Sequence, residues 1–448
     1  MATLEQLRSG EIQGVKRLSL SEQLTQFPPE IFKLADCLEI LDLSNNRLSA
    51  LPDDLPRLRH LQVLFLNNNQ FETVPEVLAQ CPQLSMISFK ANQLTNLSET
   101  ALPPQTRWLI LTNNQLTTLP ASLGQLSKLQ KLMLAGNRLQ FLPDELAACQ
   151  NLELIRLAAN QLSALPDWLL SLPRLAWLAY AGNPFCTEFS PVPQSSGDLT
   201  TIDWGDLAVA EELGQGASGV IYRAVWQRQD SSQTVAVKLF KGAITSDGSP
   251  IDEMQACMAA GRHPHLVSVL GQVVNHPAQK AGLVFPFIEA DYKTLGGPPS
   301  LASCTRDTYP AETQFPLAVS LRIASGIAAA AAHLHGRGIL HGDLYAHNIL
   351  TNASGDSFLS DFGAAGFFDA TEAHLSTDLA RLEVRAFGCL LEDLLDRCPP
   401  PDIEAHSDRW HTLKHLQQAC LSSQLGDRPT WQAIVEILDS LATETSLS

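Results

Sequence analysis

The chain has 448 residues, which is too long for one ordinary hydrophobic core, so the sequence predicts at least two domains. Hydrophobic residues make up 45% of the chain and charged residues 17%, a composition that places it among soluble globular proteins. The formal net charge of −17 argues against binding to a nucleic-acid backbone. It leaves two interpretations open, an acidic surface for basic protein partners or a solvated surface that aids solubility.

The sequence has neither a secretory signal pattern nor a membrane-span pattern. Its first residues lack a basic segment followed by an apolar one, and the most apolar window, residues 323–332, is too short to cross a bilayer. Nine cysteines are scattered along the chain without a C-x-x-C pair, which is typical of reduced thiols. We therefore expect a cytoplasmic protein.

The N-terminal part of the chain contains a repeated leucine pattern. Its cleanest copy is Leu41-x-Leu43-x-x-Asn46, and a degenerate copy with Gln23 in the asparagine place brings the number of units to eight. Further copies of the asparagine follow every 22 or 23 residues, at positions 69, 92, 114, 137, 160 and 183. The alternating leucines predict one short strand per unit, and the asparagine can bond main-chain groups at the turn. This pattern resembles the leucine-rich repeat family over roughly residues 11–190, which implies an α/β solenoid that is stable only when its units stack.

Repeat arrays of this family mostly bind proteins through the strand residues that point outward from a concave sheet. Here these positions carry large apolar side chains, namely Val63, Phe65, Met86, Trp108, Ile110, Met133, Leu154 and Trp177. An exposed apolar stripe usually has a partner, so we expect a protein partner or substrate on this face. The main contacts are expected at Phe65, Trp108, Ile110, Met133 and Trp177. The alternative is that some of these rings cover the sheet or dock the second domain.

The repeat period ends after Asn183, where a segment rich in proline, serine and glycine begins. Segments of this composition commonly join domains. We therefore divide the chain into a repeat domain of residues 1–190, a linker of residues 191–198 and a second domain of residues 199–442.

The second domain opens with a glycine-rich loop between two strand-like stretches. Gly214, Gly216 and Gly219 have the spacing G-x-G-x-x-G, which is weak evidence alone because hairpin turns and dinucleotide folds use it too. A dinucleotide fold would continue with a helix, whereas β-rich sequence follows here. About one strand later, Lys238 ends a buried apolar strand, where a lysine is costly unless it meets a negative charge. Lys238 is therefore the candidate for holding the α- and β-phosphates of ATP.

A short helix is predicted after Lys238. Ser249 followed by a proline has the pattern of a helix cap and first helical residue, and Ile251 with two methionines predicts its apolar face. Glu253 lies beside that face, 15 residues after Lys238, and we assign it as the ion-pair partner of the lysine. Asp252 is the alternative partner, with capping as its other possible role.

An alanine-rich helix, roughly residues 317–335, leads into His-Gly-Asp-Leu-Tyr-Ala-His-Asn at positions 341–348, and Asp-Phe-Gly follows at positions 361–363. Together with the glycine loop and Lys238, these elements resemble the eukaryotic-type protein kinase family over about residues 199–442. The likeness is strongest to tyrosine-kinase-like and receptor-like serine/threonine kinases. It implies an α+β two-lobed protein kinase fold for the second domain.

The same resemblance implies roles for individual residues. Asp343 matches the aspartate that orients the acceptor hydroxyl and accepts its proton, and Asn348 and Asp361 match the ligands of two magnesium ions on the phosphates of ATP. Lys238 and Glu253 complete the catalytic set. The nucleotide would be enclosed by Leu213, Gly214, Gln215, Gly216, Ser218, Gly219, Ile221, Ala236, Lys238, Phe285 and Ile288.

The acceptor side of the predicted site departs from the family pattern. Gly342 stands where many kinases have the arginine that grips a phosphate on the activation loop, so we do not expect switching by loop phosphorylation. Tyr345 replaces a lysine common in serine/threonine kinases. No Ala-Pro-Glu follows the Asp-Phe-Gly, and Glu383 takes the place of a usual aspartate. Arg428 is then expected to have lost its usual glutamate partner.

Three functions compete for this sequence. The leading one is an ATP- and magnesium-dependent protein kinase, serine/threonine-specific on overall resemblance, whose repeats recruit a partner or substrate. The second is a pseudokinase scaffold that binds nucleotide and partners without efficient transfer, which the intact Lys238, Asp343, Asn348 and Asp361 argue against. The third is a small-molecule phosphotransferase, because His-Gly-Asp-Leu also occurs in antibiotic kinases. The complete glycine loop and Asp-Phe-Gly favour the protein kinase.

Overall fold

The computed structural model describes residues 3–186 and 200–443, apart from residues 217, 230, 243 and 246. The chain forms two compact units. The first contains the chain up to Arg174 together with Asn183–Phe185, and the second contains Leu175–Gly182 and the described residues from Cys186 onward. The predicted linker lies outside the described residues, so the division at 190 and 199 stays a prediction.

The first unit has one short strand in each of its repeats. After helix α1 (Leu4–Ser9) the strands are β1 (Arg17–Ser19), β2 (Ile40–Asp42), β3 (Val63–Phe65), β4 (Met86–Ser88), β5 (Trp108–Ile110), β6 (Lys131–Met133) and β7 (Leu154–Arg156). Neighbouring strands pair in parallel and in chain order. Helix α2 (Asp167–Leu170) follows β7 and begins directly after a Leu-Pro pair. The eighth repeat contributes β8 (Trp177–Ala179), which belongs to the second unit.

The repeated asparagines explain why the units stack. The side-chain amide of Asn46 donates to the main-chain oxygens of Leu20 at 2.8 Å and Leu43 at 2.9 Å, and its oxygen accepts from the N–H of Leu24. The bonds to Leu20 and Leu24 therefore tie one repeat to the one before it. The same pair of donor contacts recurs at Asn69, Asn92, Asn114, Asn137 and Asn160. The expected role of asparagine at the turn is confirmed.

The expectation of an exposed apolar stripe along the strands is wrong for several positions. Met133 and Trp177 are only 7% and 2% exposed. Met133 lies between Ile110 and Arg156 on adjacent strands, where side chains about 4.8 Å apart shield one another, and Trp177 is covered by an aromatic ring of the second unit, described below. Val63, Met86 and Leu154 are also buried. Half-buried positions remain at Phe65, Trp108 and Ile110.

The second unit begins with a mixed six-stranded sheet. Its elements are β9 (Thr200–Asp203), β10 (Leu207–Gln215), β11 (Gly219–Gln227), β12 (Ser232–Phe240), helix α3 (Pro250–Ala260), β13 (Gly271–Val274) and β14 (Gly282–Pro286). The spatial order of the strands is β10-β11-β12-β14-β13-β9, with β9 parallel to β13 and the other neighbours antiparallel. Alternating valines of β12, Val235 and Val237, are fully buried in the core of this sheet.

A mainly helical part follows. Its elements are β15 (Lys293–Thr294), α4 (Leu317–His335), β16 (Ile339–Leu340), β17 (Ile349–Thr351), β18 (Ser357–Leu359), β19 (Gly366–Phe367), α5 (Ala373–Leu395), α6 (Pro400–Ala405), α7 (Ser407–Cys420) and α8 (Trp431–Thr443). Small sheets β15-β17-β18 and β16-β19 connect these helices to the loops between them. An eight-strand repeat region followed by a mixed sheet and a helical part is the α/β and α+β arrangement that the sequence predicts.

Helix α4 has the bounds expected from the sequence, but its apolar stretch is longer than the ten-residue window of residues 323–332. Its 19 residues would suffice to cross a membrane by length and composition, and it is the one such helix in the described residues. However, 61% of its most apolar window is buried inside the protein. Burial of this kind is typical of a core helix, because a helix that is apolar all round must be covered.

Candidate active site

The glycine-rich loop connects β10 and β11, which form an antiparallel hairpin. A Cβ atom added at Gly214 or Gly216 would meet no atom within 4 Å, so these two glycines border open space. At Gly219 a Cβ atom would lie 2.7 Å from the main-chain oxygen of Leu239 on β12, so glycine is required there by packing. The loop can therefore bring its main chain close to a ligand while its base rests on the sheet.

Lys238 on β12 and Glu253 on α3 form a hydrogen-bonded ion pair between Nζ and Oε1. The two side chains are 13% and 2% exposed. Burial lowers the pKa of Lys238, but the charges of Glu253 and Asp361 outweigh it, so the pKa of the lysine is raised and the ammonium stays charged. A protonated lysine is thus held where negative charges of two distant segments meet.

Helix α3 has the predicted start but not the predicted apolar face. Ser249 caps it by accepting a bond from the N–H of Ile251, and a proline is the first helical residue. Ile251 itself is 58% exposed, which contradicts the expected face. The buried side instead carries Glu253, two alanines and Cys257, because the ion pair with Lys238 turns that side inward. Asp252, the alternative partner, is only half-buried.

The positions expected around adenine lie mostly on the strands of the sheet. Ala236 on β12 is paired with Phe285 on β14, and Ile221 on β11 is paired with Lys238. The half-buried members of this set are Ser218, Ile221, Ala236, Phe285 and Ile288. Leu213 and Gln215, which precede the loop, are exposed. The sheet therefore brings Ala236 and Phe285 side by side and leaves Leu213 at the surface.

The loop of residues 341–348 brings Asp343 and Asn348 together. The side-chain amide of Asn348 donates to the Oδ2 atom of Asp343 at 2.7 Å and to its main-chain oxygen at 2.9 Å. The N–H and hydroxyl of Ser360 in turn donate to the main-chain oxygen of Asn348. These bonds fix the orientation of the Asp343 carboxylate, which is half-buried, and connect the loop to the residue before Asp361.

Asp361 lies in a strained main-chain conformation. Its φ is +58°, in the left-handed region that few residues other than glycine adopt. Its Oδ1 atom accepts the N–H of Gly363, and the ring of the following Phe362 lies 5.2 Å from that of His341. The ring nitrogen Nε2 of His341 is 3.0 Å from the main-chain oxygen of Ser360. His341 therefore links the two acidic segments of the site.

Glu383 on α5 supports the loop from behind. Its carboxylate accepts the N–H of Gly342 at 2.6 Å and lies 2.7 Å from Nε2 of His335. Burial raises the pKa of this carboxyl. The hydrogen bond and the charge of His335 lower it, as does the hydrogen bond from the N–H of Gly342, and together they outweigh burial, so the pKa of Glu383 is lowered. The residue in place of the usual aspartate therefore remains a buried carboxylate that holds the main chain next to Asp343.

Asp307 is a site residue that sequence reasoning missed. Its carboxylate accepts the N–H of Ala346 at 2.5 Å and lies 2.6 Å from Nδ1 of His347. Both partners belong to the loop of residues 341–348. Asp307 lies in a long connection before α4 that has no recognisable motif, so only the cost of burying a carboxylate without a partner could have indicated its role.

The segment after Asp361 is very short. β19 pairs with β16, and helix α5 begins at Ala373, so only residues 368–372 separate strand from helix. Arg428 is buried and donates to the main-chain oxygens of Ser422 and Arg381. Burial lowers its pKa to about 10. Few residues are therefore available to form a platform for a peptide acceptor.

Two family models match the chain. Residues 207–388 match the protein tyrosine and serine/threonine kinase model, and residues 36–94 and 127–185 match the leucine rich repeat model. The first match covers the glycine loop, the ion pair and both acidic segments of the site. The second covers the repeated asparagines except Asn114.

Curated relatives agree with these matches. Probable serine/threonine-protein kinase gdt4 of Dictyostelium discoideum is 31% identical over 279 residues, which are 54% of this chain and 16% of that protein. Probable serine/threonine-protein kinase kinY of the same organism is 25% identical over 301 residues, 56% of this chain and 50% of kinY. Tyrosine-protein kinase Abl of Drosophila melanogaster is 27% identical over 281 residues, 54% of this chain and 16% of Abl. The matches span half or less of these relatives. The protein therefore carries N-terminal leucine-rich repeats followed by a protein kinase domain, a domain that implies ATP binding.

Proposed function

We propose that this protein is an ATP- and magnesium-dependent serine/threonine-protein kinase whose repeats recognise a protein partner or substrate. The observation that carries the proposal is the buried ion pair of Lys238 and Glu253 together with the bond between Asn348 and Asp343. The first supplies a cation for the phosphates, and the second orients a carboxylate for the acceptor hydroxyl. The serine/threonine class rests on distant relatives, among which Abl is a tyrosine kinase.

The residues present suit magnesium. The amide nitrogen of Asn348 is used by Asp343, which turns its side-chain oxygen toward other partners. That oxygen and the carboxylate of Asp361 are hard donors of the kind magnesium prefers, and magnesium commonly takes only one or two carboxylates plus substrate phosphates. We therefore assign Asn348 and Asp361 as its ligands. The bound metal would neutralise charge on the transferred phosphate.

The chain's own residues would act mainly by positioning. Lys238 orients the α- and β-phosphates, and the glycine loop covers them with main-chain N–H groups. Asp343 receives the proton of the acceptor hydroxyl as it attacks. Glu383 and Asp307 hold the main chain on either side of Asp343 through Gly342 and Ala346. Such alignment supplies a large part of the rate in phosphoryl transfer.

Two further assignments belong to the same proposal. A protein partner would bind the strand face of the repeats at the half-buried Phe65, Trp108 and Ile110, because arrays of this kind commonly bind proteins. A cytoplasmic location is supported by the nine cysteines, all of them free and eight of them buried.

The short connection of residues 368–372 favours one alternative, a pseudokinase scaffold. Without a platform for the acceptor, the domain would bind nucleotide and signal through its shape. The two functions differ in a measurable way, since a scaffold keeps ATP affinity but lacks transfer.

The test is phosphoryl transfer from γ-labelled ATP with magnesium, using the full chain alone and with serine/threonine, tyrosine and basic-protein acceptors. Lys238→Met should abolish transfer while leaving the protein folded, with a lower melting temperature because the buried Glu253 loses its partner. Lys280→Met, which changes an exposed lysine between β13 and β14, is the matched control and should retain activity. Phosphoamino-acid analysis then identifies the acceptor class. Transfer that survives in Lys238→Met would refute the assigned site.

A further inference from the structure

The strand of the eighth repeat packs against the loop that carries Asp343. The indole Nε1 of Trp177 on β8 donates to the main-chain oxygen of Leu344 at 3.1 Å. Its ring lies flat on the ring of Tyr345, with centroids 4.3 Å apart and planes 7° apart. Both rings are almost fully buried, at 2% and 4% exposure. Tyr345, at the position of the usual lysine, is therefore occupied with packing and is covered by Trp177.

A second contact reaches the strand that follows Asp361. The hydroxyl of Tyr180 donates to the main-chain oxygen of Phe367 on β19 at 3.3 Å. The ring of Tyr180 rests on Gly366, where a Cβ atom would come within 2.9 Å of it. Because β19 pairs with β16, just before His341, Tyr180 supports both strands next to the site. One short segment thus contacts the two chain segments that carry Asp343 and Asp361.

A third contact explains the glycine at position 342. Gly342 has a φ of +73°, and a Cβ atom there would lie 2.4 Å from the main-chain oxygen of Leu178 and 2.6 Å from that of Ala364. Neither neighbour is a flexible side chain that could move aside. The place where a side chain at 342 would start is therefore filled by the main chain of β8 and of the segment after Phe362. An arginine cannot occupy this position in the observed arrangement.

We propose that residues 177–180, which we call the supporting strand, hold the segments of Asp343 and Asp361 in the arrangement needed for transfer. Trp177 and Tyr180 act as positioning residues, and the supporting strand makes phosphorylation of the segment after Asp361 unnecessary. The inference rests on the proposed kinase function and extends it. A displacement of about 1 Å in such a segment can cost about a hundredfold in rate, so these contacts are sufficient to control turnover.

The test compares three variants of the full chain. Trp177→Ala removes the stack and the bond to Leu344, Trp177→Phe keeps a ring on Tyr345, and Trp168→Ala is the matched control because Trp168 lies on α2 in the first unit. Trp177→Ala should lower kcat about tenfold or more with the KM for ATP nearly unchanged. Trp177→Phe should recover most of the loss, and Trp168→Ala should show none. Unchanged kcat in Trp177→Ala would overturn the proposal.

Hydrogen exchange separates this inference from the proposed function. Amides of residues 339–348 and 364–368 should exchange faster in Trp177→Ala than in the wild type, whether or not any transfer is detected. If the wild type transfers no phosphate, the kinase proposal fails while the exchange result still decides whether the supporting strand orders these segments. Equal exchange in both proteins would overturn it. Should Trp177→Ala not fold, Tyr180→Phe, which removes the hydroxyl that bonds Phe367, should show the same faster exchange at 364–368.

A phosphatase experiment tests the second half of the proposal. Wild-type protein treated with phosphatase should retain its initial rate, because the supporting strand takes over the role of a loop phosphate. Loss of activity after treatment, followed by recovery on incubation with ATP, would show that a phosphate is needed and would overturn this part.

Discussion

The two units of this protein bury polar groups in different ways. In the repeats most buried polar groups are neutral, above all the asparagine amides, each bonded to main-chain oxygens of its own and the preceding repeat; the charged exceptions are Glu153 and Arg156. In the second unit a larger share is charged, as in the pair of Lys238 and Glu253 and the contact of Glu383 with His335. The neutral hydrogen bonds recur every 22 or 23 residues, so their contributions to the free energy of unfolding accumulate along the repeats. Charged contacts occur once each and determine where the site forms.

The energetic reason for this difference is the cost of taking charge out of water. A buried ion pair often gains less from attraction than it loses in desolvation, so it is weak evidence for stability. A neutral amide with its bonds satisfied has no such cost. We therefore expect single changes in the second unit, which includes the strand of the eighth repeat, to affect turnover strongly, and single changes in the first unit to affect only the free energy of unfolding.

Among residues that support the site without touching the nucleotide, the largest effect is expected from Glu383→Gln. The amide keeps the size of the side chain but has only one oxygen, so of the N–H groups of Gly342 and His341, which bond different carboxylate oxygens, one would face a donor. With its support lost, the loop of Asp343 should shift, and kcat should fall about a hundredfold. Leaving buried donors without an acceptor should also cost about 1–3 kcal/mol in the free energy of unfolding. Steady-state kinetics and thermal unfolding measure the two effects.

Glu383 also makes stability depend on pH. Because its pKa is lowered in the folded state, it stabilises the protein above the pKa of an unfolded glutamate, and this contribution is lost as pH falls through the folded value. As pH drops below about 4.3, the usual pKa of glutamate, the melting temperature of Glu383→Gln should therefore fall less steeply than that of the wild type. Glu436→Gln, an exposed change on α8, is the control and should follow the wild type in both rate and pH profile. Full turnover in Glu383→Gln would show that Glu383 does not support the loop of Asp343.

The sequence predicted those parts of the molecule whose signals are local or periodic. The leucine spacing placed the strands of the repeats, and the asparagine in each unit indicated the turn that the structure contains. Ser249 marked the start of α3 because a helix cap and the following proline are adjacent in the chain. Such signals need no knowledge of the tertiary structure.

Contacts between distant segments left weaker signals. Asp307 meets Ala346 across 39 residues, and Trp177 meets Leu344 across 167 residues, with no spacing pattern that relates them. Ile251 was expected in the core because of its hydrophobicity, yet the charged Glu253 took the buried side of α3 through its pairing with Lys238. A tertiary ion pair thus overrode the hydrophobic pattern of a short helix.

A medium effect is expected from Asn137→Ala in the repeats. The change removes two donor bonds, to Leu111 and Leu134, and leaves the N–H of Leu116 without the side-chain oxygen it uses. The free energy of unfolding should fall by about 1–3 kcal/mol, since buried main-chain groups lose their partners. Transfer by the folded protein should be unchanged. Gln161→Ala, an exposed amide in the next repeat, is the control, and a loss of kcat in Asn137→Ala would break the comparison between the units.

The smallest effect is expected at the residue before the repeated asparagine. Ala91 and Gly136 occupy this position in different repeats and have φ values of +56° and +71°. Left-handed main chain strains alanine by about 1–2 kcal/mol, whereas glycine adopts it freely but loses more entropy on folding. Ala91→Gly should therefore raise the free energy of unfolding by a few tenths of a kcal/mol to about 1 kcal/mol, and Gly136→Ala should lower it by a similar amount. Chemical denaturation checks both signs. If the free energy of unfolding shifts in opposite directions in the two variants while kcat stays constant, these repeats affect stability without affecting turnover. If both shifts have the same sign, side-chain packing and not main-chain strain determines the preference at this position.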